Sequence, residues 1–194
     1  MIAGILLAAG RSSRFGSDKL THAEAQGQPL ALQAARAFAS LEQTLAVIPE
    51  GNERLRALFE SIGFGVTEVA GTPPLSHSLR AGLEASAEAH GWIVGLADMP
   101  CVQSSTVEAI RQALEQGVDI VACRHEGRRG NPVGFSRNMK AALLALEGDQ
   151  GARRLLEERS SVVHWLDVDD PGILLDIDVP ADWARLAASF SRNA

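Results

Sequence analysis

A chain of 194 residues, 46% hydrophobic and 22% charged, can bury a sizeable core and has the balance of an ordinary globular protein. Its net charge of −6 argues against a surface that coats nucleic acid, because such binding depends on neutralising phosphates. No apolar run reaches membrane-span length and Met1–Gly4 opens a strand rather than a basic leader, so a cytoplasmic protein is expected, with Cys101 and Cys123 as reduced core thiols.

The first element is an apolar run, Ile2 to Leu7, which predicts a buried strand. The loop after it carries Gly10 and Gly16, which permit a tight turn with backbone N–H groups free to face an anion. Arg11, Arg14 and Lys19 add three positive charges, a combination that suits a triphosphate. The spacing matches neither G-x-x-x-x-G-K-[ST] nor G-x-G-x-x-G, yet a loop at the end of a first strand is where open α/β sheets bind ligands. Further on, Pro29 to Leu41 reads as a helix, Leu45 to Ile48 as a strand, Asn52 to Ile62 as a helix and Val66 to Val69 as a strand. Leu79 to His90 is expected to be helical, Trp92 to Leu96 a strand, Ser104 to Gln116 a helix and Ile120 to Cys123 a strand. The second half is less regular. It predicts a strand over Val133 to Phe135, helices over Asn138 to Glu147 and Ala152 to Glu158, an edge strand over Val162 to Val168 and a closing helix over Pro180 to Phe190. Alternating strands and helices imply a mainly parallel sheet covered by helices: one three-layer α/β domain over residues 1–194.

Asp98 follows a buried strand, and Pro100 fixes the chain's exit. A carboxylate there, beside a triphosphate loop, is suited to hold Mg²⁺; the competing reading is a helix cap or turn residue. Asp149 is the candidate for a second metal carboxylate, against the alternative of an N-cap. Asp176 and Asp178 compete with it, but Asp178 to Asp182 resembles a helix start and is assigned a structural role. Arg153 reads equally as a phosphate contact or a partner for a carboxylate of its own helix. The five histidines form no H-E-x-x-H pattern and read as surface or packing residues, with His77 expected in a loop near the base and ribose.

Leu7-Ala-Ala-Gly-Arg-Ser-Ser-Arg-Phe-Gly-Ser-Asp-Lys19 resembles the signature loop of the MobA-like nucleotidyltransferases, and within them most closely the molybdenum cofactor cytidylyltransferases. Five further stretches resemble the family's motifs in order: Ser78 to Leu83, Ala97 to Pro100, Gly130 to Phe135, Gly148 to Arg153 and Asp176 to Asp182. The resemblance implies a Rossmann-like α/β/α nucleotidyltransferase fold with a mainly parallel, mixed sheet. It also implies a Mg²⁺-dependent reaction in which the phosphate of molybdopterin attacks the α-phosphate of CTP and releases pyrophosphate. Gly10, Arg14 and Lys19 would hold the triphosphate, Ala8 and Ala9 would border the base, and Leu7 and Ser78 would sit in the nucleotide site. Asp98 and Asp149 would hold the metal, and Arg14, Lys19 and Asp98 would carry catalysis. The family's guanylyltransferases resemble Leu-Ala-Gly-Gly in this loop; the methyl of Ala9 favours a pyrimidine. Two stretches depart from typical members, Thr21 to Pro29 and Pro74 to Ser78, and both border the expected nucleotide pocket. The alternatives are transfer to a phosphosugar or another small phosphate, and a non-catalytic chaperone that serves a molybdoenzyme client.

Overall fold

The computed structural model describes residues 1–10, 19–21, 28–71, 73–149, 152–178 and 182. Arg11, Arg14, Gly16 and the expected closing helix from Pro180 lie outside these residues. The described strands are β1 (Ile2–Leu7), β2 (Gln43–Pro49), β3 (Gly65–Val69), β4 (Gly91–Leu96), β5 (Ile120–His125), β6 (Arg128–Ser136) and β7 (Val163–Asp167). They form one seven-stranded sheet in the order β3-β2-β1-β4-β6-β5-β7. Only β6 runs against its neighbours, so the sheet is mixed but mainly parallel.

The helices are α1 (Leu30–Ala35), α2 (Glu53–Glu60), α3 (Leu75–Ala85), α4 (Ser104–Glu115), α5 (Lys140–Leu144) and α6 (Arg153–Glu158). They cover the sheet on both faces. On one side Leu30, Leu55, Phe59, Val107 and Ile110 pack with Leu6, Ile48 and Ile93. On the other, Leu79, Leu83, Leu143 and Leu155 pack with Ile5, Val47, Trp92 and Phe135. The three-layer architecture expected from the sequence is therefore present. All six residues of β1 are buried, as a central parallel strand covered on both faces requires. Among the described residues, no helix is long and apolar enough to cross a membrane.

Two differences from the sequence expectation have clear local causes. Helix α3 begins at Leu75 rather than Leu79, so His77 and Ser78 lie on its first turn and not in a loop. Strand β6 runs well beyond the expected Val133 to Phe135, because a two-residue turn joins it to β5. Glu126 and Gly127 both have positive φ, 49° and 74°, the pattern of the turn whose twist matches paired strands. Burial together with nearby Asp170 pushes the Cys123 thiol up to about 12.

Strand order reverses at β1, which lies between β2 and β4, and such a switch point opens a crevice at the strands' C-terminal ends. Leu7 is level with Leu96 across β1 and β4, so the chain leaves both strands side by side. The Ala97 N–H still donates to the Leu7 carbonyl at 3.0 Å, extending that pairing up to Asp98.

The segment after β7 returns to this edge. Asp170, which is buried, accepts hydrogen bonds from the Gln103 N–H at 2.9 Å, the Thr106 hydroxyl at 2.6 Å and the Gly172 N–H at 2.9 Å. It thereby ties the turn Pro171–Leu174 to the start of α4. Gly172 lies against the Cys101 carbonyl so closely that a Cβ would overlap it. Replacing Asp170 by Ala orphans three donors, two of them buried, and urea denaturation is expected to report a loss of about 2–3 kcal/mol.

Candidate active site

The C-terminal edge of the sheet holds a pocket of about 530 Å³, within the range of small-molecule sites. Its floor is Leu7, Ala8, Ala9 and Gly10 at the end of β1, with Leu96 and Asp98 at the end of β4. Lys19 and Leu20 come from the 3-10 turn Lys19–Thr21. Pro73, Pro74, Leu75 and Ser78 supply a wall at the start of α3, and Asp149 and Asp178 complete the lining. The described lining residues that ionise are thus one lysine and three aspartates.

Lys19 is the centre of the site. Only 7% of its side chain is exposed, and its Nζ donates to Asp98 Oδ2 at 2.9 Å, to the Ile177 carbonyl at 2.8 Å and to Asp178 Oδ1 at 3.4 Å. A buried ammonium is tolerable only with such acceptors around it. The Ile177 N–H in turn donates to the Asp98 carbonyl at 2.9 Å. One cation thus joins the end of the first loop, the end of β4 and the returning C-terminal segment.

The two oxygens of Asp98 are treated differently. Oδ2 receives Lys19, whereas Oδ1 is buried and has no hydrogen-bond partner among the described residues. A carboxylate oxygen removed from water without a partner is costly, and a bound cation is one way to satisfy it. The donor set fits Mg²⁺ on this observation, since that ion uses one or two carboxylates together with substrate phosphates and water. Among the described residues, no three His, Cys, Asp or Glu side chains gather into a closed metal cage.

The structure brings most of the expected residues together. Leu7, Ala8, Ala9, Gly10, Lys19, Ser78, Asp98 and Asp149 all line the pocket, while Arg14 lies outside the described residues. Asp149, expected as the second metal carboxylate, has its Oδ1 accepting the Leu75 N–H at 3.2 Å. Asp178, expected to be structural, is the carboxylate that shares Lys19 with Asp98. Its backbone N–H donates to Asp182 Oδ2 at 2.9 Å, which is the local pattern that made it read as a helix start. Arg153 pairs with Glu157 one turn along α6 at 2.9 Å, the second of its two expected roles. His77 is exposed and does not line the pocket. The sequence gives no warning of the Ile177 carbonyl or of the Pro73–Pro74 wall, because backbone acceptors and pocket walls leave no spacing signature.

A profile of the MobA-like NTP transferase domain matches residues 4–163. No curated protein matches the sequence. Among solved structures, the chain is similar to Rv0371c from Mycobacterium tuberculosis, with 28% identity and a TM-score of 0.84, covering 96% of this chain and 97% of that one. It is likewise similar to the structure of that protein in complex with manganese, with 27% identity and a TM-score of 0.80 over 97% and 98% of the two chains. A nucleotidyl transferase from Methanothermobacter shares the fold, with 20% identity and a TM-score of 0.79 over 100% and 99%. The profile spans most of the chain and agrees with the fold: the protein belongs to the MobA-like NTP transferase domain family and is a nucleotidyltransferase.

Proposed function

We propose that this nucleotidyltransferase transfers a cytidylyl group from CTP to the phosphate of molybdopterin and releases pyrophosphate. The observation that carries the reading is the meeting of the β1 loop and Asp98 in one pocket, with Asp98 Oδ1 buried and unpartnered among the described residues. In this reading the acceptor phosphate oxygen forms a bond to the α-phosphorus as the bond to pyrophosphate breaks. The acceptor is already anionic and needs no general base.

Gly10 and Arg14 would hold the triphosphate. Lys19 is already fixed beside Asp98, so its charge lies where negative charge builds on the departing pyrophosphate, and fixed charge there stabilises the transition state without reorganisation. Leu7, Ala8 and Ala9 would border the base, with Ser78 on the opposite wall. A divalent cation, Mg²⁺ in this reading, would be held by Asp98 with Asp178 beside it and would supply positive charge to the phosphate oxygens. The manganese complex of the Mycobacterium tuberculosis relative supports a divalent ion. The choice of CTP rests on Ala9, and that of molybdopterin on the resemblance of Leu7 to Lys19 to the molybdenum cofactor cytidylyltransferases.

A panel of the four nucleoside triphosphates with molybdopterin and with phosphosugars, read by pyrophosphate release, tests the reading directly. Turnover of CTP with molybdopterin is the expected outcome, and a phosphosugar preference would replace the acceptor. Asp98→Asn should reduce turnover at least about a hundredfold while the protein stays folded, because an anionic ligand is lost. Near-normal, metal-dependent activity in that variant would remove Asp98 from the metal.

Lys19→Met leaves Asp98 and Asp178 facing each other without a counter-charge. Thermal or urea denaturation without divalent metal should show a loss of about 3 kcal/mol, at the low end for breaking a buried pair. Added Mn²⁺ should restore part of that loss, since the same carboxylates then have a cation.

Ala9→Gly probes base choice. The wild type should prefer CTP to GTP, and removing the methyl should narrow the gap by about 1–3 kcal/mol in competition assays. A wild-type preference for GTP would overturn the cytidylyl assignment.

A further inference from the structure

We propose that Asp149 is a positioning residue: it caps helix α3 from the far half of the chain and so sets the wall of the nucleotide pocket. What that wall contacts rests on the nucleotidyltransferase reading above. The starting point is an unmet need at the helix start. The first N–H groups of any helix lack intrahelical partners. Here the N-cap residue is Pro74, whose side chain offers no acceptor.

The missing acceptors come from a segment more than seventy residues away in sequence. Asp149 Oδ1 accepts the Leu75 N–H at 3.2 Å, and the Gly148 carbonyl accepts the Ser76 N–H at 3.2 Å. Gly148 has φ of 75°, a conformation that glycine adopts freely, and the chain turns there between the two acceptors. One turn along α3, Arg80 Nη2 donates to the Leu144 carbonyl at 3.0 Å. Leu75 joins Leu144, Leu146 and Ala152 in the same apolar cluster. Three hydrogen bonds and shared apolar packing thus fasten residues 144–149 to the first turns of α3. Those turns carry the pocket wall, since Pro73, Pro74, Leu75 and Ser78 all line it.

A cap and a metal ligand make different demands of Asp149. Capping needs an oxygen acceptor, and Asn offers the same Oδ1 as Asp. Metal ligation here needs the negative charge. A role confined to stability, in turn, would leave nucleotide affinity untouched.

The test compares Asp149→Asn and Asp149→Ala in the full chain by hydrogen exchange at the Leu75 and Ser76 amides, and by kcat and KM for the nucleotide that the wild type uses best. Asp149→Ala should speed exchange at both amides and raise nucleotide KM about tenfold, as loss of a cap worth that factor would. Its kcat should change by no more than about twofold. Asp149→Asn should keep wild-type exchange and a KM within about twofold. Equal exchange in Asp149→Ala and wild type overturns the cap, and a lower melting temperature with unchanged KM overturns the positioning role. A loss of kcat in Asp149→Asn as large as in Asp149→Ala assigns the charge itself and overturns the proposal. Absence of any wild-type turnover refutes the nucleotidyltransferase reading instead, and the exchange comparison still decides the cap.

Discussion

The contact between Lys19 and its three acceptors is the constraint on which this site depends. An ammonium in a buried position is stable only if its charge is met, and here it is met by Asp98, Asp178 and the Ile177 carbonyl. Those groups come from separate parts of the chain, so satisfying one charge brings together the turn Lys19–Thr21, the end of β4 and the segment at 177 and 178. Apolar packing fixes the layers, but it does not select where the pocket's edges meet. The ion cluster does. Its incomplete satisfaction matters equally: the second oxygen of Asp98 has no partner among the described residues, and this leaves a place with a defined chemical preference.

The regular half of the fold is held at its working edge by the irregular half. Helix α3 has its first amides satisfied from residues 148 and 149, and the start of α4 is bound by Asp170. Helix α3 begins beside the pocket, and neither helix has a side-chain cap from the residue that precedes it. Helix α2, away from the pocket, is capped locally by Asn52 through the Leu55 N–H. Local capping makes a helix independent of the rest of the chain. Remote capping makes the position of α3 and α4 conditional on the later segments, which suits elements whose placement sets a site's geometry.

Much of this arrangement was legible in the sequence, for identifiable reasons. Buried parallel strands are continuous apolar runs, so β1, β2 and β4 could be placed from Ile2 to Leu7, Leu45 to Ile48 and Trp92 to Leu96. Asp98 was visible because it directly follows such a run. The start of α3 was not, because Pro74-Leu75-Ser76 resembles a loop until its acceptors at 148 and 149 are known. Asp178 was legible only in part: its bond to Asp182 is local and leaves a helix-start pattern, whereas its contact with Lys19 is distant and leaves none. The first residues of β6 were hidden because Arg128 and Arg129 are charged and exposed and extend no apolar run.

The bond between Lys19 and the Ile177 carbonyl links positions 158 residues apart, and this bears on how the protein is made. Synthesis proceeds from the N-terminus, and domains assemble as the needed segments emerge. A ribosome-bound chain that already contains β1 to β4 holds Lys19 and Asp98 but lacks the acceptors from 177 and 178. The last contacts therefore close loops of great length, which are slow to form. A product that stops before Ile177 leaves Lys19 with one of its three acceptors, so the charge at the centre of the pocket is fully met only in molecules whose translation has run through this segment.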